Sequence, residues 1–106
     1  MIENKLINDI VNKIANRFNP DKIILFGSYA SGNQNEDSDV DLLVIKESTE
    51  SRINRITDLK MKLLKYKFKF PIDLLVYTEK ELLNENLGKY SFIYYVLNSG
   101  KLLYES

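Results

Sequence analysis

Two short runs decide the reading of this chain: Lys22-Ile23-Ile24-Leu25-Phe26-Gly27-Ser28 and Asp39-Val40-Asp41-Leu42-Leu43-Val44-Ile45. Lys22 to Phe26 is β-rich and stops at Gly27, as a buried strand would. Val40 to Ile45 lacks any polar alternation and is apolar on both faces, again the pattern of a buried strand. Between them, Ser28 to Ser31 has the length of one helical turn closed by Gly32, and Asn33 to Ser38 is a polar loop. The whole connection between the two strands is about a dozen residues of mostly loop, and loops of that length inside small domains usually carry function.

Working outward, Ile2, Leu6, Ile7, Ile10, Val11, Ile14, Ala15 and Phe18 recur at the spacing of one helical face. Asn4, Asn8, Asn12 and Asn16 form a polar stripe, read as solvent exposure. Asn19-Pro20-Asp21 ends this helix, because a residue before proline avoids the helical region. Downstream, Ser48 or Thr49 caps a helix running to about Lys65, with Ile53, Ile56, Leu59, Leu63 and Leu64 as its apolar positions. Pro71 opens a third strand, Ile72 to Tyr77. Thr78 and Glu81 have capping-box spacing and start a short helix that dissolves near Asn86 to Gly88. Ser91 to Asn98 is a further helix with Gly100 as its C-terminal cap. Leu102 to Tyr104 closes as a strand. The order α-β-β-α-β-α-α-β predicts an α/β (α+β) fold with a small mixed sheet and helices packed on it. All 106 residues are read as a single domain.

The chemistry concentrates at the strand ends. Side chains alternate along a strand, so Asp39 and Asp41 share a face, their α-carbons ~7 Å apart. Asp73 interrupts the otherwise apolar third strand, where an unpaired carboxylate would cost several kcal/mol. If the second and third strands are neighbours, the three acids form one oxygen cluster. Such ligands suit Mg²⁺ or Mn²⁺ that stays bound to substrate phosphates. Two such ions can clamp the attacking and leaving oxygens of a phosphoryl displacement. Gly27 permits close backbone approach. Ser28 adds a hydroxyl beside the amides of a helical turn, an arrangement that favours phosphate.

Composition narrows the alternatives. The chain contains no cysteine and no histidine. That excludes disulfides, thiolate sites and histidine-based triads, and leaves acid–base work to carboxylates, lysine, tyrosine or metal-bound hydroxyl. The net charge is zero. Residues 1–53 carry six Lys/Arg against nine Asp/Glu, and residues 54–106 nine against six. This is not the strongly basic footprint of a dedicated nucleic-acid binder. The longest apolar run, Phe92 to Leu97, is far short of the ~20 residues of a membrane span. With no signal-peptide layout, the expected location is cytoplasmic.

Gly27-Ser28, then Asp39-x-Asp41, then Asp73 in a strand, resembles the minimal nucleotidyltransferases of the polymerase-β-like superfamily. The resemblance spans the whole chain. It implies the nucleotidyltransferase fold, with the Gly27-Ser28 segment holding a nucleoside triphosphate. It also implies that Asp39 and Asp41 bind two catalytic Mg²⁺ ions, and that Asp73 binds one of them and helps activate the acceptor hydroxyl. Members of this kind are often antitoxins that transfer AMP from ATP to a tyrosine of a HEPN-domain ribonuclease toxin. A partner toxin is therefore implied. Two alternatives stand beside it: a stoichiometric binding antitoxin, and a small-molecule nucleotidyltransferase. Gly27-Ser28-Tyr29-Ala30-Ser31-Gly32 departs from the family pattern at Ser31, where arginine is common. Serine cannot supply a charge-assisted fork.

Two further features stand out. Lys60, Lys62, Lys65, Lys67 and Lys69 interleave with Tyr66, Phe68 and Phe70. They read either as a surface for RNA or an acidic partner or, more plainly, as a solvated helix end running into an edge strand. Tyr90, Phe92, Tyr94 and Tyr95 lie in or beside the last helix. Ordinary packing is the expectation there, a protein interface the alternative.

Overall fold

The computed structural model describes residues 4–68, 70–85 and 91–106. The elements are α1 (Asn4–Phe18), β1 (Lys22–Phe26), α2 (Ser28–Ser31), β2 (Val40–Ile45), α3 (Arg52–Leu63), β3 (Ile72–Tyr77), α4 (Glu79–Glu85), α5 (Phe92–Ser99) and β4 (Lys101–Glu105). The predicted order holds. Helix α1 buries Ile7, Ile10, Val11, Ile14 and Phe18, and its asparagine stripe faces solvent. Leu6 is on the rim rather than in the core. Asn19 takes φ 52°, a left-handed turn that asparagine tolerates, and the chain enters β1 past a buried Pro20.

The four strands form one mixed sheet in the order β3-β2-β1-β4. β1 is antiparallel to β2 and β4, and β2 is parallel to β3 through the α3 crossover. The central place of β2 explains its unbroken apolar run, since both of its faces are covered. On one face Ile23, Leu25, Val40, Leu42, Val44, Leu74 and Val76 pack against α1 and α3. On the other, Ile24, Phe26, Leu43, Ile45 and Tyr77 meet Leu82 of α4 and Ile93 and Val96 of α5. No helix among the described residues is long and apolar enough to cross a membrane.

Several expectations are corrected. Ser51, not Ser48 or Thr49, caps α3, its hydroxyl accepting from the Asn54 N–H at 3.2 Å. The Ser48 hydroxyl is engaged in a local turn with the Glu50 N–H, so the helix starts later. The buried line of α3 runs Arg55, Leu59, Leu63, at i, i+4 spacing. Ile53 lies about 200° around the helix from Arg55 and is exposed, as is Leu64. The helix stops at Leu63, and Leu64 and Tyr66 continue as turns. Residues 64–68 are not strand; Tyr66, Phe68 and Phe70 pack partly against the α1/α3 core, and the edge strand begins at Ile72.

The Thr78/Glu81 capping box forms as predicted, with both reciprocal bonds at 2.8 and 3.1 Å. Gly100 ends α5 with extended backbone rather than a left-handed cap. It is glycine because a Cβ there would stand 2.5 Å from Ile24 and 2.6 Å from the Val96 carbonyl. In α5 only Ile93 and Val96 are buried, and Phe92, Tyr94 and Tyr95 are exposed, which overturns ordinary packing for that group. Tyr90, Lys69 and the expected break at Asn86 to Gly88 lie outside the described residues.

Candidate active site

Strand register gathers the residues singled out above at one end of the sheet. β1 ends where β2 begins, with Phe26 opposite Asp41. β2 and β3 start side by side, with Val40 opposite Ile72 and Asp41 opposite Asp73. The Val40 N–H donates to the Pro71 carbonyl at 3.0 Å, which pins the two starts together. Adjacent strands are about 5 Å apart, so Asp41 and Asp73 are direct neighbours. Pleat parity puts Asp41 on the face of Leu43 and Ile45, and Asp73 on the face of Leu75 and Tyr77. Both carboxylates therefore stand on the α4/α5 face, beside Phe26.

Gly27 leaves β1 at φ 76°, ψ −154°, a conformation essentially reserved for glycine. A Cβ at this position would lie 2.1 Å from Oδ2 of Asp41. The carboxylate thus rests directly against the Gly27 backbone. The N–H groups of Ala30 and Ser31 both donate to the Gly27 carbonyl at 3.1 Å, winding α2 tightly onto the strand end. Ser28 is half-buried at the start of that turn. Ser31 is exposed, and its hydroxyl donates to the Ser28 carbonyl at 3.2 Å. Beyond the turn, the Asn35 carboxamide accepts from the Asp37 N–H and the Ser38 hydroxyl accepts from the Asn35 N–H. This brace delivers Asp39 to the head of β2.

The electrostatics single out Asp41. Burial, then the charges of Asp73 and Asp39, push its carboxyl up to about 6. Asp39 and Asp73 therefore both bear on Asp41. Contrary to the expectation from sequence, Asp73 does not bear a desolvation cost: it is exposed at the start of an edge strand, and the cost of burial falls on Asp41. Among the described residues no three acidic side chains are drawn close enough to enclose a metal ion by themselves. The donor set is nevertheless all oxygen, with one carboxylate whose ionised form needs a cation. That fits a hard divalent ion, which takes one or two carboxylates and fills the rest of its shell from water and phosphate.

This arrangement of glycine turn, paired strand starts and carboxylates agrees with the comparisons to known proteins. Residues 8–106 match the family described as "Polymerase beta, Nucleotidyltransferase". The chain belongs to that family. It is a nucleotidyltransferase, with the mixed α/β fold of the polymerase-β-like type. A Methanocaldococcus jannaschii protein named as a candidate protein adenylyltransferase is 38% identical over 106 residues, covering 98% of this chain and 100% of the relative. A nucleotidyltransferase crystal structure from Sulfolobus solfataricus superposes with a TM-score of 0.66 at 20% identity, covering 95% of this chain and 78% of that one. A toxin–antitoxin structure with AMP-PNP superposes at 0.55 and 22% identity, covering 93% and 73%. The two solved structures speak for the fold.

Sequence reasoning did not connect Phe26 and Phe92 with the carboxylates. The rings of Phe92 and Phe26 meet edge to face, centroids 5.6 Å apart. Only the β1–β2 register, which is not visible in the chain's local pattern, puts Phe26 beside Asp41.

Proposed function

We propose that this chain, as a single minimal nucleotidyltransferase domain over residues 1–106, transfers AMP from ATP to a hydroxyl of a protein partner. In this reading the acceptor is a tyrosine of a HEPN-domain ribonuclease toxin, the chain is its antitoxin, and both act in the cytoplasm. Gly27 and Ser28 receive the phosphates. Asp39, Asp41 and Asp73 hold Mg²⁺, two ions in this reading, which neutralises phosphate oxygens. The acceptor oxygen attacks the α-phosphorus and gives its proton to Asp73. The bond from that phosphorus to the β-phosphate's bridging oxygen breaks, and pyrophosphate leaves. The observation that carries the proposal is the Asp41–Asp73 register pair, with the Asp41 carboxylate against the Gly27 turn. The adenylyltransferase relative and the toxin–antitoxin neighbour support the choice of acceptor class.

Ser31 favours a second reading, a stoichiometric antitoxin with weak catalysis, because its hydroxyl is folded onto its own turn. One experiment separates the two. The protein encoded beside this one is co-expressed with wild type and with Asp39→Ala/Asp41→Ala, and its intact mass is measured. An AMP-sized increment only with wild type is expected. An unmodified partner that still co-purifies with both would reject transfer and leave binding.

A further inference from the structure

Resting on that reading of the site, we propose that Phe92 is the stacking platform for the base of the bound nucleotide. Its place gives the first ground. Phe26 is buried, faces Asp41 across the β1–β2 pairing, and immediately precedes Gly27. Phe92 packs on Phe26 at an interplanar angle of 79°. Its ring is thus one aromatic layer from the carboxylates, on the same face of the sheet. A nucleotide whose phosphates lie at Gly27 and Ser28 carries its base beyond the sugar, and Phe92, packed on the residue that precedes Gly27, is the exposed ring offered to it.

The second point is exposure. Ile93 and Val96 of the same helix are buried, whereas Phe92 is 51% exposed. The edge-to-face contact with Phe26 fixes the ring's orientation and leaves part of it open. An aromatic ring held rigidly beside a charged cluster offers a base a π-face at little ordering cost. Stacking of this kind accepts any base, because every base has such a face. Phenylalanine carries no polar atom to read a base edge. Phe92 therefore supplies affinity that grows with base area, purine above pyrimidine, and does not tell ATP from GTP.

The test uses the full chain with Mg²⁺, ATP and inorganic tripolyphosphate. The protein has no tryptophan, so Phe92→Trp introduces a single indole reporter. Its fluorescence is expected to be quenched by ATP and not by tripolyphosphate. By calorimetry, Phe92→Ala is expected to weaken ATP about tenfold while tripolyphosphate binds as in wild type. Phe92→Leu, which keeps apolar cover over Phe26 without a flat ring, should lose affinity in the same way, and Phe92→Tyr should keep it. Wild-type affinity for ATP in Phe92→Ala would overturn the platform, and so would equal weakening of ATP and tripolyphosphate, the mark of a merely structural role. If wild type bound neither probe, the reading of the site itself would fall, and the platform with it. A wild type that binds both, beside an Ala variant that still binds ATP fully, would remove the platform alone.

Discussion

Oxygen Oδ2 of Asp41 occupies the space beside Gly27 that any side chain would need, 2.1 Å from where a Cβ would be. The glycine of the turn and the aspartate of the strand are therefore one steric unit.

Gly27→Ala tests that unit. The backbone there is nearly glycine-only, so strain alone is worth about 1–3 kcal/mol. The new methyl also displaces the Asp41 carboxylate. A lower melting temperature is expected, together with loss of the thermal shift that Mg²⁺ and ATP should give the wild type through linkage. Gly32→Ala is the control. It shares a positive φ of 82° but meets nothing within 4 Å, so it should lower stability and keep the ligand shift.

Asp41→Asn tests the electrostatics. The folded carboxyl titrates at about 6, above its ordinary value of 3.8. The folded state therefore holds this proton more tightly than the unfolded state, and stability declines as pH rises from about 4 to about 6. The amide removes that penalty. Without divalent cations, the variant should be the more stable protein at pH 7, by on the order of 1 kcal/mol, and match wild type near pH 4. Melting curves across that range decide it. No gain at neutral pH would mean that burial and the charges of Asp73 and Asp39 do not load Asp41.

What the chain reveals in its own pattern, and what it hides, follows the range of the interactions. Strand limits, the α2 turn and the Thr78/Glu81 box were legible because each is set by residues a few positions apart. The Asp39-x-Asp41 spacing was legible for the same reason. The identity of the strained carboxylate was not. Asp73 looked costly because it breaks an apolar run, but an edge strand leaves it exposed, and the central strand puts the burden on Asp41. Arg55 was unreadable too, since its partner is 26 residues away on another helix. That contact turns Arg55 into the core and Ile53 out of it.

Glu81 and Arg55 yield a prediction about stability apart from the site. Arg55 is buried and forms a two-pronged pair with Glu81, Nη1–Oε1 at 2.6 Å and Nη2–Oε2 at 2.8 Å. Hydrogen bonds from Arg55 hold the Glu81 carboxyl down to about 2, against an ordinary 4.5. The stabilisation is complete above pH 4.5 and is lost as pH falls toward 2. Glu81→Gln strands a buried guanidinium and should cost about 3 kcal/mol at neutral pH. Adding Arg55→Met should restore most of it. The pair is beyond the far end of β3, roughly 13 Å along the strand from Asp73, so ATP affinity per folded molecule should not change. Chemical denaturation with calorimetry reads both quantities.

Ser31→Arg tests whether phosphate neutralisation limits this nucleotidyltransferase. Ser31 is exposed at the end of α2, and its bond to the Ser28 carbonyl is the local contact at stake. Replacing it should leave the unfolding free energy of the free protein within about 0.5 kcal/mol of wild type, as for other surface positions. The end of a helical turn also favours a cation. A guanidinium one turn from Ser28 adds charge-assisted, forked donors to a phosphate cradle that otherwise offers backbone amides and a hydroxyl. Tripolyphosphate and ATP should both bind several-fold tighter, and AMP transfer to the partner should speed up. A tighter cradle without faster transfer would put the limit at the acceptor. No change in either would mean that the phosphates do not pass Ser31.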